Sequence, residues 1–409
     1  MPAGYVTSSK LREEIRSARS QSDHLFSILK AEALYDRPIA ERHRVIFYIG
    51  HLDGFDSIQI CREGMGIRSP EPELDTLFQA GIDPDSSHLP NDEPSDWPSL
   101  ERVQGYVARC RKQVDKYLDD APEHVILMSL EHRLMHLETL AYMFHNFDHS
   151  VKLGPDTQIA DADVNRKLEN AWREIPTGEA VLGRAEDGTF GWDNEYKQTR
   201  RDVPAFQIQR YSVTNGDYLR FVKDGAPMPH FWVRYGDAIE FRGMFRNYPL
   251  PLNWPVYVTQ AQAETYAKWI GKILPTEEQF HRAAYGSLSG EQRTYPWGTD
   301  SPTPKFGNFD FAAWDPIPVD ATPAGDSAFG VSQLAGNGWE WTSTVFGPFP
   351  GFQARDSYPG YSANFFDGDH YVMKGGSAQT AARLLRSSFR NWFRRDYPYV
   401  YATFRCVEQ

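Results

Sequence analysis

The sequence has few cysteines, no long apolar run and no excess of basic residues, and each shortage excludes a class of protein. Its three cysteines are widely spaced, which excludes a disulfide scaffold and a cysteine-ligated zinc or iron–sulfur site. No apolar run approaches the roughly 20 residues of a membrane span, and the first residues lack the apolar centre of a signal peptide. The net charge of −12 disfavours a nucleic-acid partner. We therefore expect a cytoplasmic protein that binds neither membranes nor nucleic acids.

The chain is long enough for more than one hydrophobic core. It has 409 residues, of which 41% are hydrophobic and 14% aromatic, so two domains are expected. Up to about residue 150, apolar residues at three- and four-residue steps predict the helices Lys10–Ala33, Pro38–Arg62, Ser99–Leu118 and Pro122–Phe147. Four long helices with one long loop favour a four-helix bundle, a fold that carries metal sites on its inward-facing side chains.

From about Ile175 the pattern changes. Gly, Pro, Trp, Tyr and Phe become dense, and only Gln260–Ile270 and Thr276–Tyr285 read as clear helices. We expect irregular, glycine-punctuated structure held together by aromatic packing. The predicted fold class is a multidomain α+β protein, with the bundle at residues 1–160, a polar linker at 161–174 and a second domain at 175–409.

Two histidines stand four residues apart in the stretch EHRLMHLETLAYM. On a helix, His132 and His136 fall within roughly 40° of each other. Taken alone, such a pair suits a metal site and a packed core equally well. The second predicted helix adds His51 in FYIGHLDGFD, and three neutral imidazoles would form a site with open positions for iron, zinc or copper. His145 and His149, near the helix end, are expected at the surface.

The second half contains several motifs that resemble one known domain. Its motifs, in chain order, are VTNGDYLRFV, KILPTEEQFHRAAYG, YPWG, GNGWEWTST, KGGS and FRC. Together they resemble the formylglycine-generating-enzyme type of C-type-lectin-like domain. The formylglycine-generating enzymes need a pair of cysteines after the GGS motif, and Ala378–Arg390 contains none. We therefore do not expect that activity here.

The first half extends the resemblance over nearly the whole chain. GHLDGFD and EHRLMHLETLAYM resemble the DinB-like bundle that is fused to this domain in the sulfoxide synthases of ergothioneine biosynthesis. The resemblance implies one non-haem iron(II) held by His51, His132 and His136. It also implies an enzyme that uses dioxygen to join a cysteine-type thiol, cysteine or γ-glutamylcysteine, to the imidazole of Nα-trimethylhistidine (hercynine) as a sulfoxide.

The same resemblance identifies a substrate-binding segment near the C-terminus. It assigns substrate contacts to Asn391, Trp392 and Phe393. Aromatic faces attract a trimethylated ammonium, which cannot donate a hydrogen bond. Planar guanidinium groups bind carboxylates, so Arg390 and Arg394 are further candidates. Without the resemblance, these aromatic residues would be interpreted as part of the core.

A tyrosine that donates a proton near the iron is also implied. Tyr358 and Tyr361 in SYPGYS are the candidates, because the loop Gly66–Leu100 contains no tyrosine. Met135 stands where actinobacterial relatives have glutamine, which leaves the choice of thiol open. The alternatives are a selenoneine- or ovothiol-type synthase, a zinc-dependent thiol transferase and a non-catalytic lectin-like protein. Metal content and oxygen uptake would discriminate between them.

Overall fold

The structure is a computed structural model that describes residues 8–79, 89–155, 166 and 168–408. The chain divides into two compact units, Met1–Asp156 and Thr157–Gln409. The first is helical and the second mixes helices with short strands, so the predicted α+β class is confirmed. No helix in the described part of the chain is long and apolar enough to cross a membrane.

Within residues 8–79 and 89–155, the first unit has five α-helices: α1 (Ser8–Ser27), α2 (Val45–Asp56), α3 (Pro72–Gln79), α4 (Leu100–Tyr117) and α5 (Glu123–His145). The four long helices lie within the four predicted segments except for the first residues of α1. Helix α2 packs against α3, α4 and α5, while α1 packs against α5. The sequence of α2, VIFYIGHLDGFD, is apolar on almost every face, as expected for a helix at the centre of a bundle.

The structure differs from the predicted helices at three places. Helix α1 ends at Ser27, and α2 begins only at Val45, after a short 3-10 turn at Ala31–Tyr35. A π-helical turn, Ser57–Glu63, continues α2. The predicted loop contains α3, which begins with a proline and buries Leu74 and Phe78 at a four-residue spacing.

His145 does not lie at the surface, and that prediction was wrong. Its side chain is 1% exposed at the end of α5. Its carbonyl oxygen accepts a hydrogen bond from the Lys152 ammonium at 3.1 Å. The chain after α5 folds back over this end of the helix, since Leu29 and Lys152 pair as an antiparallel bridge.

Twelve short strands lie in the described residues of the second unit. They are β1 (Trp172–Ile175), β2 (Gly178–Leu182), β3 (Thr199–Val203), β4 (Phe206–Gln209), β5 (Trp232–Tyr235), β6 (Ala238–Arg242), β7 (Asn247–Pro249), β8 (Trp339–Val345), β9 (His370–Lys374), β10 (Asn391–Arg394), β11 (Ala402–Thr403) and β12 (Val407–Glu408). Their orders are β1-β4-β12, β10-β9-β8-β11, β2-β3 and β5-β6-β7. The four-stranded sheet carries the predicted substrate segment on its edge strand β10, where Trp392 pairs with Val372 of β9.

Three helices accompany these strands in the described part: α6 (Asn215–Lys223), α7 (Gln260–Trp269) and α8 (Glu277–Tyr285). Helix α6 was not predicted, because the dipeptide Asn-Gly at its start is typical of a turn. A capping box overrides that signal. The Thr214 hydroxyl accepts from the Asp217 N–H at 3.1 Å, and the Asp217 carboxylate accepts from the Thr214 N–H at 3.4 Å.

Candidate functional site

The three histidines of the first unit lie close enough to share one ion. His51 comes from α2, while His132 and His136 lie one turn apart on α5. One ring nitrogen from each lies within 4.8 Å of the others. The two Nε2 atoms of His132 and His136 are 3.2 Å apart, and the His51 ring centroid lies 5.2 and 5.0 Å from theirs. We call these residues the histidine triad.

The orientation of His51 is set by the backbone of α3. Its Nδ1 lies 2.7 Å from the Phe78 carbonyl oxygen, so Nδ1 carries the proton and donates it. Its Nε2 is buried and has no hydrogen-bond partner. Metal-binding histidines commonly donate their second N–H to a carbonyl in this way. Gly50 permits the approach, because a Cβ there would lie 2.5 Å from the Phe78 ring.

Burial keeps the triad neutral. Desolvation lowers the pKa of His51 to about 4. Desolvation lowers the pKa values of His132 and His136 well below the ordinary value, and the neighbouring triad rings add to the effect. A neutral imidazole offers a lone pair to a metal. Three such donors, one with an unpartnered buried nitrogen, fit a divalent cation of the iron or zinc type.

Aromatic rings enclose the triad. Phe55 stacks on His132 with ring centroids 3.5 Å apart, and Phe47 stacks on His51 at 4.9 Å. Tyr48 lies 5.8 Å from the His136 ring and is 3% exposed. Sequence analysis missed Tyr48, although its position three residues before His51 places both on one helix face.

A buried ionic network joins the two helices that carry the triad. Arg133 of α5 donates to the Asp53 carboxylate at 2.8 Å and to the Asp56 carboxylate at 2.7 Å, both on α2. Arg111 of α4 also donates to Asp53, with both contacts at 3.0 Å. Arg19 of α1 lies 3.7 Å from Asp53. Because Arg133 is adjacent to His132 and Asp53 is two residues from His51, the network constrains the register of α2 against α5.

The second unit brings the predicted tyrosines and Trp392 together. Trp392 stacks on Phe346 at 4.2 Å and meets Tyr361 edge-on at 5.4 Å. Tyr361 in turn stacks on Trp192 at 4.0 Å, and Tyr358 lies 6.0 Å from Tyr361. With Phe365, 5.6 Å from Trp392, these rings form what we call the aromatic cluster. Trp192 lies 200 positions before Trp392, and no local sequence signal singles it out.

The other predicted substrate residues have separate partners. The Asn391 amide oxygen accepts from the Trp392 N–H at 2.9 Å, and Phe393 stacks on Tyr397 at 5.0 Å. The Arg394 guanidinium lies 5.8 Å from the same Tyr397 ring. Both Asn391 and Arg394 remain partly exposed.

Arg390 is placed differently from the expectation that it binds a substrate carboxylate. Its side chain is 3% exposed. It donates to both Glu277 carboxylate oxygens, at 3.0 and 3.1 Å, and to the Gly347 carbonyl at 2.9 Å. Those contacts occupy the guanidinium, and they anchor the chain immediately before β10. Arg390 therefore stabilises the position of Asn391 and Trp392.

The chain is similar to known proteins along most of its length. Residues 161–409 match the family described as the sulfatase-modifying factor enzyme 1-like domain. The chain is 32% identical to the hercynine oxygenase of Mycolicibacterium thermoresistibile, over 87% of this chain and 84% of that protein. It is 31% identical to the hercynine oxygenase of Mycolicibacterium smegmatis, over 96% of both proteins.

A longer relative matches as well. The chain is 28% identical to ergothioneine biosynthesis protein 1 of Neurospora crassa, over 93% of this chain and 55% of that protein. The chain thus spans about half the length of the Neurospora crassa protein and most of the length of the two Mycolicibacterium enzymes.

Proposed function

Because the chain belongs to the hercynine oxygenase family, and its residues 161–409 to the sulfatase-modifying factor enzyme 1-like family, we propose that it is an iron(II)- and dioxygen-dependent sulfoxide synthase of ergothioneine biosynthesis. Its substrates would be trimethylhistidine and a cysteine-type thiol, either cysteine or γ-glutamylcysteine. The observation that carries the proposal is the neutral histidine triad, with His51 and His132 buried and His136 partly buried, in a chain of this family.

The proposed reaction balances with dioxygen as the sole oxidant. The thiol sulfur forms a bond to an imidazole carbon and takes up one oxygen atom as a sulfoxide. The hydrogens of the S–H and C–H bonds leave with the second oxygen atom as water. Dioxygen thereby accepts four electrons, and no reductant is required.

His51, His132 and His136 would hold the iron through one nitrogen each. Ferrous iron bound there supplies the one-electron chemistry that dioxygen requires. The Phe78 carbonyl keeps His51 in the tautomer that presents Nε2. The stacked Phe47 and Phe55 rings limit water at the site, which strengthens electrostatic interactions within it.

Residues of the second unit would bind the substrates and supply a proton. The Trp392 ring face is suited to the trimethylammonium group, with Asn391 and Phe393 beside it on β10. Arg394, which is partly exposed, would bind a substrate carboxylate. Burial raises the pKa of Tyr358, so its phenol stays protonated and can donate. Tyr361 is the second candidate for that role.

The proposal is tested with the full chain loaded with iron(II) under anaerobic conditions. Oxygen is then admitted with trimethylhistidine and either cysteine or γ-glutamylcysteine, and the products are identified by mass. We expect the sulfoxide with one thiol, oxygen uptake in equal amount, and no product from a zinc-loaded sample.

Variants of the triad provide the control. Replacing His51, His132 or His136 with alanine should abolish iron binding and turnover. Replacing His124, an exposed histidine on the same helix α5, should change neither. A zinc enzyme that transfers the thiol without consuming oxygen would refute the proposal. A bond at another ring carbon would identify the ovothiol-type alternative, and product formed only when a selenium donor replaces the thiol would identify the selenoneine-type alternative.

A further inference from the structure

An acidic residue with an unusual hydrogen-bond deficit adjoins the aromatic cluster. Asp193 follows Trp192 and is 2% exposed. Its Oδ1 accepts from the Ser362 hydroxyl at 2.6 Å and from the Asn194 backbone N–H at 2.7 Å. Its Oδ2 is buried and has no hydrogen-bond partner. Ser362 follows Tyr361, so the hydrogen bond joins the two chain segments whose rings, Trp192 and Tyr361, stack on each other.

The charge of Asp193 is not balanced within the described residues. No described cation lies within ion-pair distance of it. Arg355 influences Asp193 only at longer range, and its guanidinium lies over the Tyr196 and Phe190 rings at 5.1 and 5.8 Å. The nearby Glu195 differs, because Arg386 and the Ser388 hydroxyl bind its carboxylate.

Buried carboxylates are normally paired with a cation or fully hydrogen bonded, because desolvation penalises the charged form. Burial raises the pKa of the Asp193 carboxyl, in the direction expected for an anion that lacks its cation. The hydrogen-bond deficit beside the aromatic cluster is therefore that of one carboxylate oxygen, Oδ2 of Asp193.

We propose that Asp193 is the counter-charge for the quaternary ammonium group of the substrate, and hence a specificity-determining residue of the aromatic cluster. The inference rests on the proposed function. A quaternary ammonium has no N–H to donate, so ring faces and a through-space negative charge recognise it. A buried carboxylate oxygen without a hydrogen-bond partner, on the residue next to Trp192, provides such a charge in a medium where screening is weak.

This assignment separates the roles of the residues in the cluster. Trp392 and Tyr361, which are partly exposed, present the ring surface, and the buried Trp192 supports Tyr361 from behind. Asp193 adds an attraction that depends on the charge of the ligand and little on its shape. Asp193 should thus distinguish the trimethylated substrate from an analogue that has the same imidazole and carboxylate but no ammonium.

The test measures ligand binding to the full chain by isothermal titration calorimetry. The ligands are trimethylhistidine and 3-(imidazol-4-yl)propionate, which lacks the ammonium group. Asp193→Asn removes the charge and preserves the shape. It should weaken trimethylhistidine binding by roughly three- to thirtyfold and change binding of the propionate by less than about twofold. Asp237→Asn, which removes the same charge at the exposed turn after β5, should change neither.

Several outcomes would overturn the assignment. Equal losses for both ligands would mean that Asp193 only maintains the fold of the cluster. Weaker binding of histidine with unchanged binding of trimethylhistidine would mean that its carboxylate accepts from an N–H donor. If Asp193→Asn does not fold, Asp193→Ser repeats the comparison with a smaller neutral side chain.

Failure of the proposed function gives a different result. In that case the wild-type protein neither binds trimethylhistidine nor turns it over. If the wild type does both and Asp193→Asn keeps the wild-type affinity, only the assignment of Asp193 is lost.

Discussion

The ionic network between α2 and α5 offers a direct test of how the triad is positioned. Replacing Arg133 with methionine keeps an unbranched side chain but leaves the carboxylates of Asp53 and Asp56 buried without their main partner. Removing one partner of a buried ion pair costs about 3–5 kcal/mol. Arg111 still contacts Asp53 at 3.0 Å, and Arg19 lies 4.0 Å from Asp56. We therefore expect a loss near the lower end, about 3 kcal/mol.

Urea unfolding, followed by helical circular dichroism, would measure that loss. At about 2–4 °C per kcal/mol, the melting temperature should fall by roughly 6–12 °C. Arg111→Met is the control: its side chain is 26% exposed and Asp53 keeps Arg133 as a partner, so the loss should be smaller than in Arg133→Met. Adding Asp56→Asn to Arg133→Met should restore part of the stability, since one uncompensated charge is gone.

The same variant separates stability from metal binding. If the network sets the register of α2 against α5, Arg133→Met should weaken cobalt(II) binding at temperatures where the protein remains folded. Wild-type stability in Arg133→Met, or a further loss of stability on adding Asp56→Asn, would refute the reasoning. Lower stability with unchanged metal affinity would show that the network stabilises the bundle without positioning the triad.

Three further predictions concern the site. Gly50→Ala should displace Phe78 and break the hydrogen bond between its carbonyl and His51 Nδ1. Cobalt(II) binding should then weaken by roughly 10–100-fold in a titration, and unchanged affinity would contradict this. Trp392→Ala should raise KM for trimethylhistidine by roughly two- to thirtyfold, whereas Tyr358→Phe should lower kcat; equal effects in steady-state assays would indicate a packing defect. Folding lowers the pKa of His51 from 6.5 to about 4. Between these two pH values, the unfolded metal-free protein therefore binds more protons than the folded protein does. His51 should therefore contribute a fall of about 2 kcal/mol in stability from pH 7.5 to 5 in urea titrations, and His51→Gln should remove that part of the dependence.

The local features of the sequence determined much of the architecture. The helical period fixes His132 and His136 on one face of α5 wherever that helix lies. The change to short, glycine-punctuated pieces from about Ile175 predicts the second unit, and the ordered motifs there predict its family. These conclusions depend on contacts within a few residues, which the order of side chains along the chain controls directly.

Tertiary packing decided the rest. His51 meets the α5 pair because α2 packs on α5, and its orientation comes from the backbone of α3, a helix that the loop composition concealed. The sequence suggested that Arg390 binds a substrate carboxylate, but its guanidinium forms an ion pair with Glu277 of α8. Each partner lies tens to hundreds of residues away in the sequence, so no local pattern encodes the pairing.

Asp193 shows most clearly what the sequence alone cannot predict. Nothing in the string WDNE distinguishes a buried, unpaired carboxylate from an ordinary surface one. Its hydrogen-bond partner Ser362 lies 169 positions later in the chain. The sequence identifies an acidic residue. Whether water, a cation or a ligand balances its charge depends on which distant segments pack around it and exclude the solvent.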